Sequence, residues 1–387
     1  MRPCCIGQVK LPPDPNSPPR RMELCMASAR ALLWMTLLPL APAAGQASLS
    51  GTEVSLPPTV AGALRLVALP GNRVAVWSTD SAEGVLLDRG ANRTHRLNAR
   101  DGGGYAIRRN STLSVLADTV VAQDVSNGRW VFLPANGGRG RSAVAPTGPL
   151  NENNIAANRA MPLADGKWLF VPQNDTASQP VQVGNATGGA MRRIGSFRTP
   201  SEARVVIAVP NVGTINTTVP FAAGDRVYVS PDGRQVMLVG MPGGRPGAQV
   251  TVSIRVMDLD GREVSQAQVP LTVPADATTA IPAWKTNLLN GIPANFRSGF
   301  DTGADEAMAS FAHFAPFVPL GWLGDGGLWG RGATQGGTTT WLRLDPASGA
   351  QRQVTLPEGC ALLDVSGGAA WWSCTADGKT TVSTGAL

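Results

Sequence analysis

Histidine is nearly absent from this sequence: only His95 and His313 occur among 387 residues. A three-histidine zinc site is therefore impossible, and neither imidazole sits in an HExxH arrangement. No GxSxG elbow is present to signal an α/β-hydrolase serine nucleophile. The glycine-rich stretches 102–104 and 324–327 lack the strand–glycine–helix setting of a phosphate loop and read as turns. There is no DxDxDG calcium loop and no CxxCH haem motif. Asp258, Asp260 and Glu263 are near enough in sequence to hold a hard cation, but a hairpin explains them more simply, so neither metal nor cofactor is expected. Lysine is scarce as well. Beyond residue 47 only Lys167, Lys285 and Lys379 remain, and arginine carries the positive charge. With no Lys/Arg block interleaved with aromatics, nucleic acid is not an expected partner. Also missing beyond residue 47 is any apolar run of the roughly 20 residues needed to span a bilayer.

What is present divides at residue 47. A basic, proline-rich stretch, KLPPDPNSPPRR, leads to the apolar run ALLWMTLLPLAPAAG over residues 31–45. Basic residues, an apolar core too short to span and a small-residue end describe a signal peptide, cleaved after Gly45 or Ala47. The remainder, 48–387, is then expected in the periplasm or secreted, with no membrane span after signal removal. Losing residues 1–47 removes five basic and two acidic side chains, so the net charge falls from +6 to +3. Cys4, Cys5 and Cys25 leave with them. Cys360 and Cys374 stay, and an even pair in an exported chain predicts a disulfide.

From about Leu64 onward, apolar or alternating runs of four to eight residues (RVAVWS, RWVFLP, KWLFVP, RQVMLVG, TTTWLRLD, AAWWSC) are separated by Gly, Asp, Asn and Pro. These are short strands and tight turns of an all-β chain. The turns recur. Asn127-Gly128-Arg129-Trp130 resembles Asp165-Gly166-Lys167-Trp168, and Pro231-Asp232-Gly233-Arg234 is a third version; their glycines are expected at equivalent hairpins. A second turn type, Met257-Asp258-Leu259-Asp260-Gly261 and Leu344-Asp345-Pro346-Ala347-Ser348-Gly349, joins later strands. Asp or Asn before Gly suits a tight hairpin through side-chain-to-backbone bonding and positive φ. A period of roughly 40 residues with several strands matches a propeller blade.

These SPDGR-type and LDxxxG-type hairpins resemble those of the bacterial TolB-like, YncE-like and WD40-like repeat propellers. The resemblance implies four-stranded blades around a channel and a fold that serves mostly as a binding platform, sometimes as an enzyme. Dividing the length by a blade of about 42 residues sets a ceiling of eight, and about seven blades, within a range of six to eight, is the expectation. Paired β-sandwiches are the alternative. The 67 residues from Gly166 to Gly233 require a degenerate blade or a long loop.

The longest interruption lies at 284–329, where Gly303 to Phe314 is expected to form a short helix. As an excursion from a repeating scaffold it is the expected contact surface, with Trp322, Trp329 and Phe317 as aromatic anchors; a plug packed on the propeller is the competing expectation. Two functional classes follow. One is an exported non-catalytic binding or scaffold protein that holds a protein, peptide or envelope component on a loop face. The other is a propeller hydrolase or lactonase-like enzyme with a divalent cation in its channel. The sequence leans to the first, and the channel wall discriminates: converging carboxylates favour the enzyme, apolar or arginine-lined walls the binding protein. In the last blade, ALLDVSGGAAWWS reads as strand, turn, strand with Ser366-Gly367-Gly368 as the connection. That register pairs Val365 with Ala369, Leu363 with Trp371, Leu362 with Trp372 and Cys360 with Cys374.

Overall fold

The apolar runs become strands that are covered on both sides. In Arg73–Ser78 every residue after the arginine is buried, and in Lys167–Pro172 every residue after the lysine. A sheet with one wet face would alternate instead. The computed structural model describes residues 46–387 except residues 59, 61–63, 71–72, 79–82, 89–92, 98–111, 125–127, 137–139, 148–157, 173–177, 188–190, 199–203, 210–212 and 220. The expected signal peptide lies outside the described residues, apart from its alternative last residues, Gln46 and Ala47.

Six sheets of four or five strands follow one another along the chain. Blade 1 is Leu64–Leu69, Arg73–Ser78, Glu83–Asp88 and Arg93–Leu97. Blade 2 is Thr112–Leu116, Thr119–Asp124, Arg129–Pro134 and Arg141–Val144. Blade 3 is Asn158–Pro162, Lys167–Pro172, Gln179–Asn185 and Arg192–Phe197. Blade 4 is Arg226–Val229, Gln235–Gly240, Gln249–Asp258 and Glu263–Thr272. Blade 5 is Val318–Trp322, Leu328–Gln335, Thr338–Leu344 and Gln351–Pro357, with Gln46–Ser48 added in parallel at its edge. Blade 6 is Cys360–Ser366, Ala369–Ala376 and Lys379–Ala386, completed by Thr52–Val54.

Each neighbouring pair of blades shares its own core, and the last meets the first. Trp77 and Leu133 sit in the core of blades 1 and 2, Trp130 and Phe170 in that of blades 2 and 3, and Leu169 and Val236 in that of blades 3 and 4. Ile254 and Leu342 join blades 4 and 5, Trp341 and Trp372 blades 5 and 6, and Trp371 and Val76 blades 6 and 1. The fold is an all-β propeller of six blades among the described residues, the low end of the expected range. The length-based figure of about seven counted two stretches that are not blades.

Both of those stretches replace the passage from an outer strand to the next inner strand, on either side of blade 4, so they leave the ring at the same end. The first holds a hairpin, Arg204–Val209 and Gly213–Thr218. The second holds helix α1 (Ala280–Asn290) and helix α2 (Arg297–Ala309). An isolated hairpin is marginal in water. Here Val205, Ile207 and Val209 bury one hairpin face in a core with Phe300, Ala304 and Met308 of α2. The approach is close: a Cβ on Gly303 would stand 2.5 Å from the carbonyl oxygen of Ala208. Lys285 of α1 ties the helices together through Asp305 at 2.8 Å and Asp301 at 3.0 Å. The expected helix from Gly303 to Phe314 is thus shifted; α2 begins earlier and stops at Ala309, and α1 was not anticipated. No helix among the described residues is long and apolar enough to cross a membrane.

The turn families separate by position. Gly166 and Gly233 both lie between the first and second strands of their blades, whereas Gly128 lies between the second and third, at the opposite end of the ring. The expected three-way equivalence is therefore a two-way one. The second family is uniform: Asp258 and Asp345 each open a turn from third to fourth strand. The Oδ1 of Asp258 accepts the N–H groups of Asp260 and Arg262, and that of Asp345 those of Ala347 and Ser348.

Cys360 and Cys374 are bonded and directly opposite one another. The register between them differs from the expected one. Gly367 and Gly368, both at positive φ, form a two-residue turn, so Val365 faces Ala370 and Asp364 faces Trp371. A bulge at Leu363 then restores the cysteine pairing.

Candidate functional site

The six inner strands enclose a cavity of about 450 Å³. Its wall is mostly apolar, from residues such as Leu66, Val115, Met161 and Leu320, with Trp322 and Tyr228 among them. Two arginines are among its lining residues, Arg65 from blade 1 and Arg159 from blade 3, both solvent-exposed. They occupy the same rung of the ring. Arg65 pairs with Trp77 and Arg159 with Val171, each partner being the fifth residue of its second strand. Blade 4 repeats the pattern, Arg226 facing Val239.

The three arginines have different surroundings. The Arg65 side chain makes no hydrogen bond or ion pair among the described residues. Arg159 donates from Nη2 to Oε1 of Gln123 at 2.7 Å, and partial desolvation by neighbouring wall atoms pulls its pKa below the usual guanidinium range. Arg226 donates to the carbonyls of Asp225 at 3.0 Å and Ala222 at 3.3 Å. Burial also drives the Tyr228 phenol well above its ordinary range, against the opposing pull of Arg226, so it stays protonated.

One carboxylate is part of the wall. Asp364 is 6% exposed; its Oδ2 accepts the N–H of Ala68 at 2.5 Å and its Oδ1 its neighbour's, Val365, at 2.7 Å. The first of these bonds joins the inner strand of blade 6 to that of blade 1. Burial pushes this carboxyl up to about 7, the N–H groups of Ala68 and Val365 pull it down, and Asp325 pushes it further up. Asp325 itself is held in the first turn of blade 5 by Arg343 at 2.7 Å, by the Trp329 indole N–H at 3.0 Å and by the N–H of Gly327 at 3.0 Å. Below this level the inner turns of blades 2, 3 and 4 meet. Ala117 N–H donates to Pro231 at 2.7 Å and Ala164 N–H to Gly233 at 3.0 Å.

Of the three expected aromatic anchors, two are core residues. Phe317 is 1% exposed, packed between blades 4 and 5, and Trp329 is 0% exposed, packed between blades 5 and 6. Their assignment as surface anchors is corrected: the end of the expected interruption is the first hairpin of blade 5. Trp322, half-buried, lines the channel and donates from Nε1 to the carbonyl of Gly326 at 3.0 Å. His95 is exposed on the outer strand of blade 1, and His313 stacks edge-on to Phe311. Asp260 is paired with Arg192 and Glu263 with Arg255, both at 2.7 Å. No group of three or more His, Cys, Asp or Glu side chains converges among the described residues.

A second depression, of about 370 Å³, lies between α1 and the first hairpin of blade 5. Phe221, Trp284 and Phe317 contribute its apolar surface and Arg331 a charged one. Asp276 borders it, accepting the N–H of Thr334 at 2.8 Å with Oδ2. Only part of this groove comes from the 284–329 segment that the sequence marks as a contact surface, and of the three expected anchors Phe317 alone borders it, almost wholly buried. The arginine rung escaped sequence reading because equivalence between Arg65, Arg159 and Arg226 exists only once strand order in each blade is known.

No known family's sequence pattern matches the chain, and no curated protein matches it. Solved structures do. YCF48 from Cyanidioschyzon merolae is 12% identical, over 86% of this chain and 99% of that one, with a TM-score of 0.34. A putative exported protein from Bacteroides fragilis is 8% identical, over 88% and 95%, at 0.38. The WD40 repeats of RRP9 are 8% identical, over 88% and 99%, at 0.38. The chain's own strand order, six successive sheets each sharing a core with the next, makes it an all-β propeller.

Proposed function

We propose that this chain is an exported binding or scaffold propeller that holds a protein, peptide or envelope component, without catalysing a reaction on it. One observation carries the reading: the chemistry of the channel wall. Two arginines and an apolar lining surround the cavity, and the single carboxylate among the lining residues is engaged by two backbone N–H groups. A cation-assisted hydrolase calls for several converging carboxylates at that place. The hairpin and helices rise at one end of the ring and add a groove beside blade 5, which supports a contact face at that end. Fold alone would not decide between the classes.

The test is native mass spectrometry of the protein recovered from the exported fraction. A component held non-covalently and unchanged in mass during incubation is the expected result. Conversion of that component to a product, abolished by a chelator, would sink the reading in favour of the hydrolase.

A further inference from the structure

We propose that the Arg65 and Arg159 rung of the channel is a binding site for a multivalent oxyanion, a ligand carrying a phosphate group or clustered carboxylates. The proposal rests on the binding-propeller reading and specifies the ligand chemistry at its channel. Some arginines of this chain hold carboxylates, Arg192, Arg255 and Arg343 each at 2.7 Å, while others, such as Arg73 and Arg297, hold only peptide carbonyls. The rung arginines hold no carboxylate, and what sets Arg65 and Arg159 apart is that they line one cavity. The Arg65 side chain has no hydrogen-bond or ion-pair partner among the described residues, Arg159 holds a neutral amide oxygen, and Arg226 holds two peptide carbonyls.

The one carboxyl among the lining residues, Asp364, is buried in the seam of blades 6 and 1 and bonded to Ala68 and Val365. Neither Arg65 nor Arg159 forms an ion pair among the described residues, so the cavity presents cationic, hydrogen-bond-donating side chains. Arg159 is open to the channel solvent, so a ligand can reach it, although neighbouring wall atoms lower its pKa by partial desolvation. The planar donor fork of arginine matches the oxygens of phosphate or carboxylate in a way that a point charge does not. Tyr228, kept protonated, lines the same cavity. At about 450 Å³ the space is within the range of small-ligand sites, and Leu320 and Trp322 offer apolar contact to the rest of such a ligand.

Calorimetric titration of the exported protein with inorganic phosphate, and separately with citrate, tests this at an ionic strength held constant with sodium chloride. Saturable binding of at least one is expected. A phosphate response assigns a phosphoryl ligand, a citrate response a polycarboxylate. Arg65→Gln and Arg159→Gln should each weaken binding about tenfold or more, the loss of one charge-assisted hydrogen-bonded contact. Arg255→Gln, which breaks an exposed pair on blade 4, should leave it unchanged. Binding of neither anion by the wild-type protein overturns the proposal whatever the variants do, as does undiminished binding by both channel variants. Should a glutamine variant misfold, Arg65→Lys keeps the charge and removes the fork, and unaltered affinity there counts against the site. A native component still held by the Arg65→Gln/Arg159→Gln double variant would remove this site while leaving the binding-propeller reading intact.

Discussion

Replacing Asp364 by asparagine probes the seam between the last and first blades. In the fold, burial raises this carboxyl to about 7 from an ordinary 3.8, despite the two backbone N–H groups it accepts. The folded pKa lies above the unfolded one, so the folded chain binds an extra proton between about pH 4 and 7. The stability carried by that proton is full below the unfolded value and is lost as pH rises through the folded one. A gap of about three pH units, at about 1.4 kcal/mol each, gives roughly 4 kcal/mol as an upper figure. Urea unfolding from pH 4 to 8 measures it as the difference between wild type and Asp364→Asn. Groups common to both proteins, such as Asp345, cancel from that difference. The asparagine has no titration in this range and keeps one carbonyl acceptor for Ala68 or Val365. Wild type should be the more stable at pH 4 and should lose that advantage, or fall below the variant, by pH 8. A difference flat to within about 0.5 kcal/mol across the range would refute the argument.

Three further outcomes are expected. Removing the Cys360–Cys374 bond by double substitution to alanine should cost about 3 kcal/mol, as expected for closing a loop of this length; thiol counting on unfolded, unreduced exported protein should find neither cysteine free, and two free thiols would contradict the bond. Gly303→Ala gains about 1 kcal/mol of helix propensity but places a methyl group 2.5 Å from the Ala208 carbonyl, an overpacking worth about 1–3 kcal/mol. The net effect should be a lower melting temperature, and an unchanged or raised one would show that α2 can shift away from the hairpin. N-terminal sequencing of exported protein should begin at Gln46, because Gln46–Ser48 pairs with Gln353, Val354 and Thr355; an uncut N-terminus on that protein would be the contrary result.

The strands were legible because burial on both faces leaves unbroken apolar runs such as Val74 to Trp77 and Trp168 to Val171. The Asp-initiated turns at Asp258 and Asp345 were legible for a local reason, since the side chain bonds the backbone of its own turn. What depends on distant chain was not legible. Phe317 stands between prolines and Trp329 among glycines, and an aromatic ring so placed reads equally well as surface or core until the neighbouring blade is positioned. Helix α1 has Pro282 and Trp284 in its first turns and only a weak apolar period. The disulfide pairing emerged correctly from a register that is wrong near the turn, because the bulge at Leu363 offsets the shorter connection. The long interval from Gly166 to Gly233 called for a degenerate blade or a long loop, but it could not show a hairpin packed against helix α2.

Blades 5 and 6 are each finished by a segment from the beginning of the described chain, Gln46–Ser48 and Thr52–Val54. Ribosomal synthesis runs in the other order. These early segments wait without their strand partners, Gln46–Ser48 until Gln351–Pro357 has been made and Thr52–Val54 until Lys379–Ala386 has arrived. Pairings between the ends of a chain are slow to form, and until then the unclosed ring presents open strand edges. The same architecture therefore ties closure of the ring to the arrival of Lys379–Ala386, however early the other blades are made.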